Sequence, residues 1–121
     1  MQPKDLRMYL LDVLQAIKGI EQIATGFTIN DLDDIGNKWA LERGIAIIGE
    51  ALYKANNIDR TLPITNLSRI IATRHIVVHD YDNVDPARLI IIVQNHLPLL
   101  KEEVENTLNT SISQKVTKDE L

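Results

Sequence analysis

The run LIIIV, residues 89–93, decides the fold class of this chain. Consecutive branched apolar residues suit a strand buried on both faces, and taken alone they suit a segment of buried helix equally well. The residues that follow separate the two. Leu97, Leu100, Val104 and Leu108 continue at spacings of three and four, which is a helical stripe. The residues before it agree: Asp85 is a candidate N-cap and Pro86 a first-turn residue. The run is therefore read as part of a helix. Pro98 falls inside that helix and predicts a kink, because proline lacks the N–H and crowds the preceding turn.

Earlier segments read the same way. Over residues 3–25, Leu6, Leu10, Val13, Leu14, Ile17, Ile20 and Ile23 recur at helical spacing. Pro3 suits the first turn and Gly26 the end. A second helix begins near TINDLDD, residues 28–34, where Thr28, Asn30 or Asp31 can cap and Asp33 and Asp34 favour the positive end of the dipole. Leu32, Ile35, Trp39, Ala46 and Ala51 are placed on its inner side, widened by Ile45, Ile47, Ile48 and Leu52. Gly36, Gly44 and Gly49 are poor helix formers, so they are read as points of close helix–helix approach. NNIDRTLP, residues 56–63, is the clearest loop, and a third helix starts near Thr65. No stretch alternates with period two, and there is no repeat and no glycine-rich phosphate loop. The expectation is an all-α domain of four main helices in an up-down bundle with a kinked last helix, over residues 1–109, followed by a polar, flexible tail over 110–121.

Composition narrows the function classes. The chain has 121 residues, 45% of them hydrophobic, and a net charge of −4. It announces no nucleic-acid binder in bulk, so RNA contact would need a local basic cluster; Arg43, Arg69, Arg74 and Arg88 offer only a modest one. Without cysteine there are no disulfides or thiolate metal sites. No apolar run approaches the ~18 residues of a membrane helix, and Asp5, Arg7 and Asp12 spoil the N-terminus as a signal peptide. The closing KDEL, residues 118–121, addresses a protein to the endoplasmic reticulum only after secretory entry. It is read as chance, and the protein as cytoplasmic.

The chemistry concentrates in RHIVVHDY, residues 74–81. On a helical wheel Leu67, Ile70, Ile71, Val77 and Val78 share one arc, which should face the core, and Arg74 falls in its middle. A guanidinium there needs a carboxylate, a carbonyl cluster, a bound anion or a wet cleft, since an unpaired buried charge is very costly. Glu50, polar on an apolar helix, is a candidate counter-charge for one of the chain's arginines, without the sequence saying which. His75 and His79 share a flank at i, i+4, whereas Arg74 and His79 diverge by ~140°. An arginine fork can hold a phosphate and stabilise charge on it. Histidine can move protons at a ribose 2′-hydroxyl or a leaving 5′-oxygen. The same residues also suit a helix C-terminus with its dipole partners and core rim. The histidine spacing fits a zinc helix, but Ile76 stands where such helices carry a catalytic Glu and no third ligand is evident. His96 is read as a surface or core-edge residue.

As R-x-x-x-x-H-x-Y, this stretch resembles the signature of the HepT-like toxins, a branch of the all-helical HEPN superfamily. WALERGIAIIGEA, residues 39–51, resembles the family's second-helix block. YDNVDPARLIIIVQNHLPLL, residues 81–100, resembles its last-helix block. The likeness covers about residues 4–105. It departs at His75, where Asn or another small polar residue is usual, and at Leu67, where an aromatic is. The resemblance implies a metal-independent endoribonuclease with no cofactor. Arg74 and His79 would be catalytic, with His75 and Asp80 accessory. It implies a homodimer whose two motifs share a cleft. It also implies a partner, an MntA-type nucleotidyltransferase antitoxin that silences the toxin by transferring AMP from ATP to Tyr81. A non-catalytic HEPN module that binds a nucleotide or such a partner is the alternative.

Overall fold

The computed structural model describes residues 5–79 and 84–120, with side chains up to residue 110. The described chain is all-α. Helix α1 spans Leu6–Ala24, a 3-10 turn Ile29–Asp33, α2 Ile35–Ile58 and α3 Leu67–His79. A fourth helical arm begins as α4, Pro86–Ile91, passes through a π-turn at Ile92–His96 and continues as α5, Leu97–Glu120. No helix among the described residues is long and apolar enough to cross a membrane.

Local chemistry explains most boundaries. Asp5 starts α1 by accepting the Met8 N–H at 2.9 Å; Pro3 lies outside the described residues. Gly26, at φ +76°, turns the chain out of α1 in the left-handed region that glycine tolerates. The TINDLDD stretch divides into two elements. Asp31 accepts the Thr28 N–H at 2.6 Å over the 3-10 turn, and Asp34, itself extended, accepts the Asn37 N–H at 3.0 Å to start α2. The loop expected from Asn56 begins later, because the Asp59 N–H still reaches the Ala55 carbonyl at 2.9 Å and keeps both asparagines in the last turn of α2. Asp85 caps α4 by accepting the Ala87 N–H at 3.0 Å, with Pro86 in its first turn.

The LIIIV run is helical, and where the sequence predicts a kink at Pro98 its helix carries a π-turn. The break lies just before Pro98, where the Leu97 N–H bonds to the Ile92 carbonyl five residues back. Pro98 has no N–H for the next rung and crowds the turn behind it. The π-turn also retards the helical phase. On an unbroken α-helix Leu97 would fall ~80° from Leu89; here both are buried, and Leu100, Val104 and Leu108 continue the core.

Helix α2 is central, packed against α1 on one side and α3 on another. Its buried stripe is Leu41, Ile45, Ile48, Leu52 and Ala55. Ile35 and Trp39, expected on the inner side, are both exposed. Trp39 lies ~160–180° around the helix from Leu41 and Ile48, and the longer stripe won the core. Ile23 of α1 is likewise exposed. Two of the three α2 glycines do mark close approach: a Cβ at Gly44 would lie 2.6 Å from Ile20 of α1, and one at Gly49 would lie 2.3 Å from the Cβ of Arg74. Gly36 meets only the nearby Asp34 cap.

Candidate active site

Helix α3 carries the motif, and its surroundings differ from the expected core-facing arc. Val77 alone of its apolar residues is buried; Leu67, Ile70, Ile71 and Ile76 are half-buried and Val78 is exposed. The reason is that α3 packs on α2, so one side of it meets the bundle and the rest does not. Its start is held by Glu103 of α5, whose carboxylate accepts the Thr65 N–H at 3.1 Å and the Thr65 hydroxyl at 3.0 Å.

Arg74 sits at the point of closest approach to α2. Gly49 leaves room for its Cβ, and the next residue, Glu50, meets its guanidinium: Arg74 Nε lies 2.7 Å from Glu50 Oε2. The candidate counter-charge is therefore the one in place. Glu50 also lies 3.4 Å from Lys54 Nζ, and Lys54 stands 5.9 Å over the Tyr9 ring, at the outer end of cation–π range. These side chains line an open groove of about 370 Å³ between α1, α2 and α3, with Asp12 and Arg43 on its walls. Three cations against two carboxylates leave it a net positive charge inside an acidic chain. With Arg74 about one-third exposed, the cation is oriented by Glu50 and still reachable by a solvent-borne anion.

The two histidines stand elsewhere. His75 and His79 are both exposed, with ring centroids 4.6 Å apart and planes tilted by 49°. Neither lines the Arg74 groove. Helix α3 is regular to His79, so the ~140° divergence between Arg74 and His79 is kept. Within one chain the structure brings Arg74 together with Glu50, and His75 with His79, but does not bring the two pairs into one pocket. Asp80 and Tyr81 lie outside the described residues. No group of three His, Asp or Glu side chains is placed to hold a metal ion among the described residues.

The four arginines do not form one patch. Arg43 and Arg74 line the groove, whereas Arg69 and Arg88 line a second cavity on the other flank of α3. Tyr9, Asp12 and Lys54 were not singled out by the sequence. A signal for Lys54 existed: Arg43, Ile47, Glu50 and Lys54 follow one another at spacings of four, three and four on α2, a single row that ends in an i, i+4 ion pair.

Comparison with known proteins gives one family. A family model described as "Ribonuclease HepT-like" matches residues 13–107, which include α2, α3 and all of the groove except Tyr9 and Asp12. A protein of Methanocaldococcus jannaschii named "Putative RNase MJ1380" is 29% identical over 109 residues, covering 87% of this chain and 98% of the relative. No solved structure matches the chain.

Proposed function

Because the chain belongs to the HepT-like ribonuclease family, we propose that it is a metal-independent endoribonuclease and the toxin of a toxin–antitoxin pair. The observation that carries the reading is Arg74, oriented by Glu50 at 2.7 Å in a net-positive groove. There it is pre-positioned to bind the scissile phosphate and stabilise the charge that grows on it. The ribose 2′-oxygen attacks the adjacent phosphorus as His79 takes its proton. The 5′-oxygen leaves and receives a proton, giving a 2′,3′-cyclic phosphate and a 5′-hydroxyl end. His75, 4.6 Å from His79 ring to ring, is a second proton carrier or a support for the first.

The divergence of Arg74 and His79 favours a homodimer, in which each groove faces the histidines of a second copy. Val78 and Ile47, exposed apolar side chains on the walls of the Arg74 groove, are of the kind a protein partner covers. The antitoxin is a nucleotidyltransferase of the MntA type, which forms a phosphate ester between AMP and the Tyr81 oxygen with release of pyrophosphate from ATP. The added charge and bulk would fill the place of RNA.

The test is cleavage of tRNA and mRNA by the purified protein, with product ends analysed. Arg74→Ala and His79→Ala abolish cleavage if the reading is right. Intact RNA, together with unchanged toxicity of His79→Ala in cells, refutes it and leaves the non-catalytic module, which the separation of His79 from the groove would suit. Coexpression with a nucleotidyltransferase of the MntA type adds AMP to the intact mass if that half of the reading is right, and Tyr81→Phe removes the increment; an unchanged mass refutes it.

A further inference from the structure

The second cavity belongs to none of this. It lies between α3 and the fourth helical arm, has a volume of about 460 Å³ and is within the size range of small-molecule sites. Its walls are aliphatic: Ile45 and Ile48 from α2, Ile70 and Ile76 from α3, and Ile92 and Leu97 from the arm. Its charged lining is of one sign. Arg69 comes from α3 and Arg88 from α4. No carboxylate lines the cavity among the described residues, and neither arginine is ion-paired among them. The Arg74 groove differs in this respect, since carboxylates line it and Glu50 pairs with both Arg74 and Lys54.

The cavity wall is also where the helix is irregular. The π-turn at Ile92–His96 places Ile92 and His96 on the lining, and π-turns inside α-helices occur frequently at functional sites. His96 is the sole aromatic ring among the described lining residues, so a nucleobase would find little to stack on. An aliphatic chain would find branched side chains on several sides, and its acidic head two exposed guanidinium groups.

We infer that this cavity is a binding site for an aliphatic anion, a chain of methylenes ending in a carboxylate or phosphate, with Arg69 and Arg88 on the head and the isoleucines around the chain. The ligand bridges α3 to the fourth arm. Helix α3 carries Arg74 and His79, so occupancy bears on the same helix as the proposed chemistry, but the inference stands independently of it.

Dodecanoate and dodecyl phosphate, each below its micelle concentration, are titrated into the full chain with isoleucine methyl groups labelled for NMR. Saturable shifts are expected at Ile70, Ile76 and Ile92 but not at Ile17 and Ile20, buried in α1. The tighter of the two ligands names the head group. Each methylene removed weakens binding about fourfold. Arg69→Gln with Arg88→Gln, folded by circular dichroism, weakens it by about tenfold or more. Ala72→Trp, which places bulk on the lining, abolishes it. The inference is overturned if no saturable shift occurs, if dodecanol binds as tightly as dodecanoate, or if the shifts map to Ile47 in the Arg74 groove. It is also overturned if the same methyls shift with protein concentration alone, because a second copy then fills the cavity.

Discussion

Replacing Gly49 with alanine should push α3 away from α2. The added Cβ would lie 2.3 Å from the Cβ of Arg74, and ordinary contact begins at 3.4 Å. The neighbour is a Cβ, fixed to its backbone, so no side-chain rotation relieves the clash and α3 itself must withdraw by about 1.1 Å. Overpacking of this kind costs ~1–3 kcal/mol, and a backbone-anchored neighbour belongs near the upper end. The better helix propensity of alanine returns ~1 kcal/mol, leaving a net loss of about 2 kcal/mol. Gly19→Ala is the matched control: in α1, with nothing within 4 Å of its Cβ, the same substitution should stabilise by ~0.5–1 kcal/mol. Urea unfolding followed by far-UV circular dichroism reads both. With a slope of ~1–3 kcal/mol per molar urea, Gly49→Ala lowers the midpoint by roughly 1 M, and Gly19→Ala raises it. Equal midpoints for the two variants would refute the packing of α3 on α2 at Arg74. RNA cleavage should fall with Gly49→Ala, because the Arg74–Glu50 contact is disturbed, and persist in Gly19→Ala.

Glu50→Gln should leave stability within ~1 kcal/mol of the parent, because the ion pair is about one-third exposed on both sides. It should lower RNA cleavage by on the order of tenfold through misplacement of Arg74; a parent-like cleavage rate would show that Glu50 does not orient the arginine. Glu103→Ala removes the acceptor of the Thr65 N–H and hydroxyl, a loss of about 1 kcal/mol that a thermal melt reads as a drop of ~4 °C. Glu42 is buried, and desolvation raises its carboxyl above the ordinary 4.5, against a smaller lowering by Lys38, whose Nζ lies at 3.8 Å. The folded state then holds the proton more tightly than the unfolded state, so this residue's contribution to stability falls as pH rises from about 4.5 through the raised value. Glu42→Gln should therefore be more stable than the parent at neutral pH and lose that advantage near pH 4; an advantage that grows on acidification would contradict the assignment.

The sequence by itself determined the helices and most of their ends. Asp34, Gly26, Asp85 and Pro86 act within a few residues of themselves, and the periodic apolar residues of α1 and α5 needed no distant partner to be read. It also marked Arg74 as a charge in need of a partner, because a guanidinium on an apolar stripe is costly wherever the chain goes; that the partner is Glu50 came from the packing of α3 on α2. The tertiary structure alone decided which face of α2 enters the core. That helix is apolar nearly all round, and the choice that left Trp39 exposed depends on contacts with α1 and α3, far away in sequence. Only the structure set the π-turn at Ile92–His96, because Leu89 and Leu97 must both reach one core. The wheel already separated Arg74 from His79, but only the structure showed what each meets, with Arg74 in a groove against Glu50 and the exposed histidines outside that groove. A helical wheel fixes the angles between such residues; what stands at each angle is decided by the helices packed around it.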